Sequence, residues 1–323
     1  MRSYKSLRKI TEISTVFQER GQPPIDEYGK VRSEYYSFRR SELKEAIISA
    51  GIFTEEDIQS VESEGCHIVV ANALCISPFS GFRYYLLKRF PDEILTGLKI
   101  LMVAVASYEG EIVAPRNDAA ANETLRKAVA LAPNVSIRFA RDRYPLGIDA
   151  LLFDRYYNQN KKTRLYHHGK DGIFIVPIEK LLDVYISLEV DVSEKSYPIF
   201  TVQNDERLLT WVKQGNRGKL SKKLLDQSKM LVRRSLLCGS LVSKPSNLDL
   251  KATEVFFLSD KSTLKAQECI GCGICRAECT GFGISNPRSV IRLTSSKGLV
   301  LSENLSGCID CGLCTYFCPG FRK

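Results

Sequence analysis

Eight of the eleven cysteines in this 323-residue chain lie between Cys269 and Cys318. They form two runs with the same spacing, in which two residues separate the first three cysteines and three residues precede the fourth. This spacing is typical of the bacterial ferredoxin run, whose cysteine thiolates hold [4Fe–4S] clusters. The tail therefore predicts a small domain with two such clusters.

The ligands of each cluster follow from the behaviour of this run, in which the fourth cysteine ligates the other cluster. The first cluster is assigned to Cys269, Cys272, Cys275 and Cys318. The second cluster is assigned to Cys308, Cys311, Cys314 and Cys279. Tight ligand loops need a permissive backbone, which is supplied by Gly271, Gly273, Gly307 and Gly312.

Two other uses of these cysteines fit the sequence less well. Structural zinc sites pair two knuckles and use four ligands in all, so a third and a fourth cysteine in each run exceed that number. A disulfide framework needs an oxidising compartment, and the basic N-terminus is not followed by the apolar stretch of a secretory signal. We therefore expect reduced thiols in a cytoplasmic protein.

The formal net charge of +9 suggests at first a nucleic-acid partner. Each cluster with its four thiolates adds roughly two negative charges, so the charge with both clusters is nearer about +5. The basic segment 213–234 has only Trp211 nearby as a base-stacking aromatic residue. We expect no nucleic acid; the segment is either a docking face for a small acidic electron carrier or one solvated helix face.

Membrane insertion is not expected. The longest apolar stretch, 94–106, contains Lys99 and is shorter than the ~20 residues that a membrane span needs. Attachment to the periphery of a membrane complex through a partner subunit stays compatible with the sequence.

The remaining cysteines and the histidines carry no ligand pattern. The cysteines outside the tail are Cys66, Cys75 and Cys238, and their apolar neighbours predict buried packing residues. The histidines, His67, His167 and His168, have no acidic or cysteine partner at ligand spacing, so we expect them in packing or surface positions.

Upstream of the tail, strand-like and helix-like segments alternate, which predicts an α/β fold with a parallel sheet. Thr54 and Asp57 form a predicted capping box at a helix start. The predicted divisions are an N-terminal extension (1–40), an α/β domain (41–192), a β-grasp-like and basic linker region (193–260) and the cluster domain (261–323). Neither a G-x-G-x-x-G dinucleotide motif nor a P-loop is present.

Two upstream stretches resemble a known family. One contains LKILMVAVAS and the turn Arg143-Tyr144-Pro145-Leu146-Gly147, and the other runs from Gly172 to Val202. With the cysteine tail, they resemble the C subunit of the Rnf electron-transport complex, itself similar to the NADH-binding flavoprotein subunit of respiratory complex I. The resemblance implies a flavoprotein-like α/β domain, a β-grasp-like module and a two-cluster ferredoxin domain.

The family's flavin site departs most from this sequence. The resembling subunits have a loop of the type G-x-G-G-A-G-F-P, where residues 51–60 here contain one glycine. A second family loop is acidic, but Leu74 and Ile76 stand in its place. We therefore expect FMN to be unlikely, a degenerate flavoprotein domain, no catalytic residue and no cofactor beyond the clusters.

The predicted function is an iron–sulfur electron-transfer subunit that passes electrons through two [4Fe–4S] clusters between a donor and a partner oxidoreductase. Its partners would be a flavoprotein, another oxidoreductase subunit or a small acidic electron carrier. One alternative is a flavin-dependent NAD(P)H, corrinoid or quinone reductase with an atypical flavin site. A second is a non-catalytic assembly subunit, in which the clusters act as staples for the tail.

Overall fold

A computed structural model describes the chain over fourteen segments. These are residues 18–20, 40–76, 81–116, 119–141, 144–158, 166–190, 195–203, 206–213, 229–233, 240–242, 252–260, 270–279, 308–309 and 311–318.

The first part of the chain forms a layered α/β unit. Its helices are α1 (Arg40–Ser49), α2 (Glu55–Glu64), α3 (Phe82–Arg89), α4 (Pro91–Ala104), α5 (Ala119–Val129), α6 (Asp149–Tyr156) and α7 (Ile178–Glu189). Its strands are β2 (Ile68–Asn72), β3 (Glu109–Pro115), β4 (Val135–Ala140) and β5 (Ile173–Pro177). These strands pair in the order β4-β3-β2-β5, and all three pairs are parallel. The predicted parallel sheet is confirmed.

Local sequence explains how these elements start and where they bury their side chains. The predicted capping box of α2 is present: the Asp57 amide donates to the Thr54 hydroxyl at 3.1 Å, and the Thr54 amide donates to the Asp57 carboxylate at 3.0 Å. The central strand β2 buries Val69, Val70 and Ala71 completely, as expected for a parallel strand covered on both faces. Each fully buried valine stabilises the fold by about 1.5–3 kcal/mol.

Helices α4 and α7 approach each other closely at Gly97. A Cβ atom on Gly97 would lie 2.0 Å from the Leu181 carbonyl oxygen, so only glycine allows this approach. Both helices bury apolar faces here, including Leu98 and Leu182. The contact fixes α7, whose first two turns border the cavity described below.

The second part of the chain forms a mixed sheet. Its strands are β6 (Ser196–Gln203), β7 (Glu206–Lys213), β8 (Lys229–Arg233), β9 (Ser240–Leu241) and β10 (Glu254–Asp260), joined by β1 (Gln18–Arg20), in the order β1-β7-β6-β10-β8-β9. The central strands β6 and β10 are parallel, and each has an antiparallel partner on its outer side. This mixed sheet occupies the region in which the family resemblance implied a β-grasp-like module, which stays a prediction.

Aromatic contacts join the two units into one apolar core. Phe82 on α3 packs against Phe200 on β6 with 5.5 Å between ring centroids, and Phe90 packs edge-on against Trp211 at 5.6 Å. Such tilted pairs contribute about 0.5–1.5 kcal/mol beyond area burial. The mixed sheet is therefore held against the α/β unit.

Two features differ from the sequence predictions. The N-terminal extension contributes β1, which pairs in parallel with β7; its three polar residues show no strand periodicity, so only tertiary pairing defines it. The basic segment 213–234 ends in β8 and not in a helix, because β10 offers Lys229–Arg233 an antiparallel partner. Residues 214–228 and the predicted boundary at 192 lie outside the described residues. In the part of the chain that the structure describes, no helix combines the length and hydropathy of a bilayer span.

Candidate functional site

A cavity of about 570 Å³ opens at the carboxyl edge of the parallel sheet. Its walls come from the α1–α2 connection, the loop after β2, the turn before α6, the start of α7 and the start of β10. Among the residues that the structure describes, the lining consists of Gly51, Ile52, Thr54, Asp57, Ile76, Phe82, Arg83, Gly147, Ile148, Asp149, Pro177, Glu179, Lys180, Asp183, Arg233, Ala252, Thr253, Glu254 and Val255. Open α/β sheets bind their ligands at this edge.

Asn72, the last residue of β2, organises one wall of the cavity. Its buried side-chain amide donates to the Gly147 carbonyl and to the Asp149 carboxylate, each at 2.8 Å. Its side-chain oxygen accepts from the Leu74 amide at 3.1 Å. Gly147 is required here because a Cβ atom would lie 2.2 Å from the Cys75 carbonyl oxygen. The ends of β2 and the α6 turn are thereby locked together.

Arg83 and Glu179 form a buried bidentate ion pair beside this wall. The guanidinium donates to the two carboxylate oxygens at 2.8 and 2.7 Å and to the Leu74 carbonyl at 2.9 Å. Burial alone would lower the pKa of Arg83, but the Glu179 carboxylate more than offsets this, so the pKa is raised. The pair ties α3 to the first turn of α7.

Asp183, also on α7, connects the α/β unit to the mixed sheet. Its carboxylate accepts from the Thr253 amide at 2.9 Å and from the Thr253 hydroxyl at 2.6 Å. Burial raises the pKa of Asp183 to about 8, although the Thr253 hydrogen bonds act in the opposite direction. Burial likewise raises the pKa of Asp149, partly opposed by the charge of Arg83.

The described residues that line the cavity include three cations and five carboxylates, the latter being Asp57, Asp149, Glu179, Asp183 and Glu254. Arg83 pairs with Glu179, and Arg233 pairs with Glu254. Lys180 contributes the remaining cation of the lining set, with its ammonium 4.3 Å from the centroid of the Phe53 ring. Apolar side chains cover the rest of the wall, including Ile52, Ile76, Phe82, Ile148 and Val255. The size of the cavity and the apolar part of its wall suit a small-molecule ligand.

The cysteine tail contributes two short helices, α8 (Ile274–Ala277) and α9 (Leu313–Phe317), which contact each other. Three of the predicted loop glycines have left-handed backbones, with φ of +73° at Gly271, +71° at Gly273 and +68° at Gly312. This confirms the expected role of these glycines. Gly307 lies outside the described residues.

Three predicted ligands of the tail act on one another through charge. Burial raises the pKa of the Cys275 thiol, and the charges of Cys318 and Cys272 raise it further. Cys269 is outside the described residues, and among the residues that are described no three His, Cys, Asp or Glu side chains form a site for a single metal ion.

The loop of the second run packs on the α/β unit. Tyr144, Cys311, Leu313 and Phe317 form one buried apolar cluster, with Ile148 and Ile309 packed against it. The Tyr144 hydroxyl donates a hydrogen bond to the Cys311 carbonyl. Ile148 also lines the cavity, so its side chain contacts both the cavity and this loop.

The other cysteines and histidines keep to packing roles where they are described. Cys66 and Cys75 are buried, and burial raises the pKa of the Cys66 thiol to about 11. Cys238 lies outside the described residues. His168 packs edge-on against Phe174 and faces Asp57 at 3.8 Å, and burial lowers the pKa of its imidazole.

Comparison with known proteins identifies both parts of the chain at the domain level. Residues 49–185 match the family model of the Nuo51 FMN-binding domain, and residues 268–321 match that of a 4Fe-4S dicluster domain. The chain is thus a mixed α/β protein with a Nuo51 flavoprotein-like domain and a C-terminal 4Fe-4S dicluster domain. A search of curated proteins finds no match to the sequence.

Two solved structures resemble the fold. One is an NAD+-reducing [NiFe]-hydrogenase in the air-oxidized state, with a TM-score of 0.56 and 14% identity over 76% of this chain. The other is such an enzyme in the H2-reduced state, with a TM-score of 0.51 and 15% identity over the same share. This chain spans about half of each, since 52% of the other chain is covered in both cases.

The prediction that FMN is unlikely is wrong, because the α/β domain matches a family of FMN-binding domains. The prediction rested on the single glycine in 51–60 and on the lack of carboxylates in the loop after β2, where Leu74 and Ile76 stand. The structure supplies carboxylates to the same cavity from other elements, namely from Asp149 and Glu179. The sequence did contain an indication of this cavity: polar residues follow several of the parallel strands, and the ends of such strands meet at one edge of the sheet.

Proposed function

We propose that this chain, which joins a Nuo51-type domain to a 4Fe-4S dicluster domain, is an electron-transfer subunit of an oxidoreductase complex that carries one FMN and two [4Fe–4S] clusters. The observation that carries the proposal is the place of the cavity. It lies at the carboxyl edge of the matched FMN-binding domain, and a cysteine loop of the tail packs against its rim at Ile148.

The cavity has suitable residues for FMN. Its volume of about 570 Å³ lies within the range of small-molecule sites, roughly 300–1,000 Å³. Ile52, Ile76 and Phe82 offer apolar surface to a flavin ring. Lys180 is the cation for the phosphate, together with the backbone at Gly51, where φ is +71° and no atom lies within 4 Å of the place that a Cβ atom would take.

For the clusters we propose the crossed ligand sets: Cys269, Cys272, Cys275 and Cys318 for one, and Cys308, Cys311, Cys314 and Cys279 for the other. The interaction among Cys275, Cys318 and Cys272 supports the crossing. The contact between α8 and α9 supports it as well, because each helix follows one loop and leads towards the other.

A bound FMN would supply the conversion between two-electron exchange with a substrate and one-electron exchange with the clusters. The chain's own residues hold and shield the site. Asn72 and the Arg83–Glu179 pair fix the walls by buried hydrogen bonds, and Ile148 fills the space towards the Cys311 loop. The electron donor and acceptor are partner proteins or small substrates of the complex. We also propose that the chain is a reduced relative of the Rnf C subunit and works in the cytoplasm.

A second candidate function is reduction of an acceptor by NAD(P)H on this chain alone. It is favoured by the match to an FMN-binding domain, since that domain gives the chain a site for hydride chemistry. The two candidates differ in whether NADH or NADPH reduces the isolated protein or whether a partner must supply the electrons.

The test is anaerobic purification of the full chain with quantitation of iron, sulfide and flavin, followed by addition of NADH or NADPH while cluster absorbance is recorded. The proposal expects about eight irons and about one FMN per chain. Bleaching by a nicotinamide nucleotide without a partner would favour the second candidate. Zinc in place of iron, or clusters without flavin after FMN has been added, would contradict the proposal.

A further inference from the structure

We infer that the cluster held by Cys308, Cys311 and Cys314 lies next to the cavity, and that Tyr144 is the positioning residue that holds it there. The inference rests on the proposed function, because it concerns the order in which electrons pass through the same carriers. The inference specifies which cluster is nearer to the cavity: the second cysteine run packs beside the cavity, and the first run is exposed to solvent.

The contact at Tyr144 carries the first step. Tyr144 follows β4, at the cavity edge of the sheet, and is 3% exposed. Its ring belongs to the apolar cluster that contains Cys311, and its hydroxyl donates to the Cys311 carbonyl. A tyrosine whose ring and hydroxyl are both buried has one orientation. It therefore fixes the position of the cysteine loop relative to the α/β unit.

The second step is the short path from the cavity to that loop. Ile148 lines the cavity and also packs against the cluster formed by Tyr144, Cys311, Leu313 and Phe317. Its neighbours Gly147 and Asp149 line the cavity too, and Asn72 holds both of them by hydrogen bonds. At this point the Ile148 side chain therefore lies between the cavity and the loop, and the Asn72 hydrogen bonds fix the residues on either side of it.

The third step is the contrast between the two cysteine loops. Each loop has both a buried and an exposed cysteine among those described: Cys275 is buried and Cys272 exposed in the first, and Cys311 and Cys314 are buried and Cys308 exposed in the second. The contrast lies in the apolar side chains. In the first loop, Ile270 is 75% exposed and Ile274 is 39% exposed, whereas Ile309 and Leu313 of the second loop pack with Tyr144. The first loop thus has the surface on which another protein can approach the clusters, whereas the second loop has its surface against the cavity wall.

This arrangement implies an order for the one-electron steps that bound cofactors would supply. The loop of Cys311 would hold the cluster that takes electrons from a reduced flavin one at a time, the two protons of the flavin going to solvent. The loop of Cys275 would hold the cluster that passes each electron to a one-electron acceptor protein at the exposed surface. If the partner protein instead donates electrons, they would pass through the clusters in the opposite order, towards the flavin.

Tyr144→Phe tests the inference on the holoprotein, because it keeps the ring and removes only the hydroxyl. Redox titration followed by EPR is the readout. Without the O–H dipole, the Cys311 carbonyl places more negative potential near its cluster, so the midpoint of that cluster should become more negative while the other stays unchanged. The signal that shifts should be the one that Cys311→Ser removes and Cys272→Ser retains.

The matched control is Tyr157→Phe, which removes a hydroxyl that binds the Glu111 carboxylate elsewhere in the domain and should shift neither cluster. Hydrogen exchange gives a second readout: Tyr144→Phe should speed exchange in peptides covering 308–318 and leave those covering 270–279 unchanged. A shift of the Cys272-dependent signal, or no change in either readout, would overturn the inference. Wild-type protein that holds both clusters but no flavin would contradict the proposed function. The effect of Tyr144→Phe on the cluster midpoints could still be measured in that case.

Discussion

The carboxylate of Asp183 and the backbone amide of Thr253 lie 2.9 Å apart, although 70 residues separate them in the chain. This hydrogen bond closes the cavity on the side of the mixed sheet. The Thr253 hydroxyl adds a second bond to the same carboxylate at 2.6 Å. The mixed sheet is therefore part of the candidate site and not only a spacer between the α/β unit and the cysteine tail.

Asp183→Asn should remove a pH dependence of stability. Burial raises the pKa of Asp183 from 3.8 to about 8, so the folded state holds this proton more tightly than the unfolded state. The contribution is then fully present below pH ~4 and is lost as the pH rises to about 8, at up to about 1.4 kcal/mol per pH unit. Chemical unfolding across this range should show the Asn variant gaining stability relative to wild type as the pH rises.

The exposed Ser63 provides the control for this measurement, because its hydroxyl does not titrate in this range. Ser63→Ala should leave the difference from wild type constant with pH. A difference between wild type and Asp183→Asn that is equally constant would show that Asp183 does not titrate in this way.

Arg83→Met should destabilise the fold by about 3–5 kcal/mol, because it leaves the Glu179 carboxylate unpaired beside the cavity. Arg83→Met combined with Glu179→Leu should recover most of that loss. A double-mutant cycle by denaturant unfolding measures the coupling. Additive single effects would contradict a strong Arg83–Glu179 pair.

Gly147→Ala should lower flavin retention as well as stability. The added Cβ atom would lie 2.2 Å from the Cys75 carbonyl oxygen, so the turn before α6 must move away from the end of β2. That movement breaks the Asn72 hydrogen bonds to Gly147 and Asp149. We expect a loss of about 1–3 kcal/mol and release of FMN during gel filtration.

Gly65→Ala is the matched control for this substitution. Gly65 has a φ of +74°, and no atom lies within 4 Å of the place that a Cβ atom would take. Alanine there costs about 1–2 kcal/mol of backbone strain without touching the cavity. Equal flavin retention in the two variants would argue against the proposed place of FMN.

Cys279→Ser should damage the cluster of Cys308, Cys311 and Cys314, although Cys279 belongs to the other run. The expected result is loss of one EPR signal, the same one that Cys311→Ser removes. Cys66→Ala changes a buried cysteine outside the tail and should retain all the iron. Loss of the signal that depends on Cys272 would mean that each run ligates its own cluster.

The parallel sheet and most of its helices were predictable from local pattern. The strand β2 is a continuous apolar run, and α4 begins at Pro91 and follows with apolar residues at helical spacing. The glycines of the cysteine loops were predictable too, because the ligand spacing demands a tight backbone. These features depend on residues that are neighbours in sequence.

The cavity was not predictable in the same way. Its polar groups meet only when the ends of β2, β4 and β5 are aligned in the sheet and Thr253 is brought to α7. The presence of only one glycine in 51–60 argued against a flavin site. A cofactor site, however, depends on residues along the whole edge of the sheet. The packing of Tyr144 on Cys311 likewise joins residues 167 positions apart and has no local signal.

The central claim is that one chain carries both a flavin and two clusters, and anaerobic reductive titration tests it most directly. The purified protein, with iron and FMN restored, is titrated with a calibrated one-electron reductant while the visible absorbance is followed to its end point. The account predicts uptake of about four electrons per chain, about two by the flavin and about one by each cluster. An end point of about two electrons with the same iron content would contradict it.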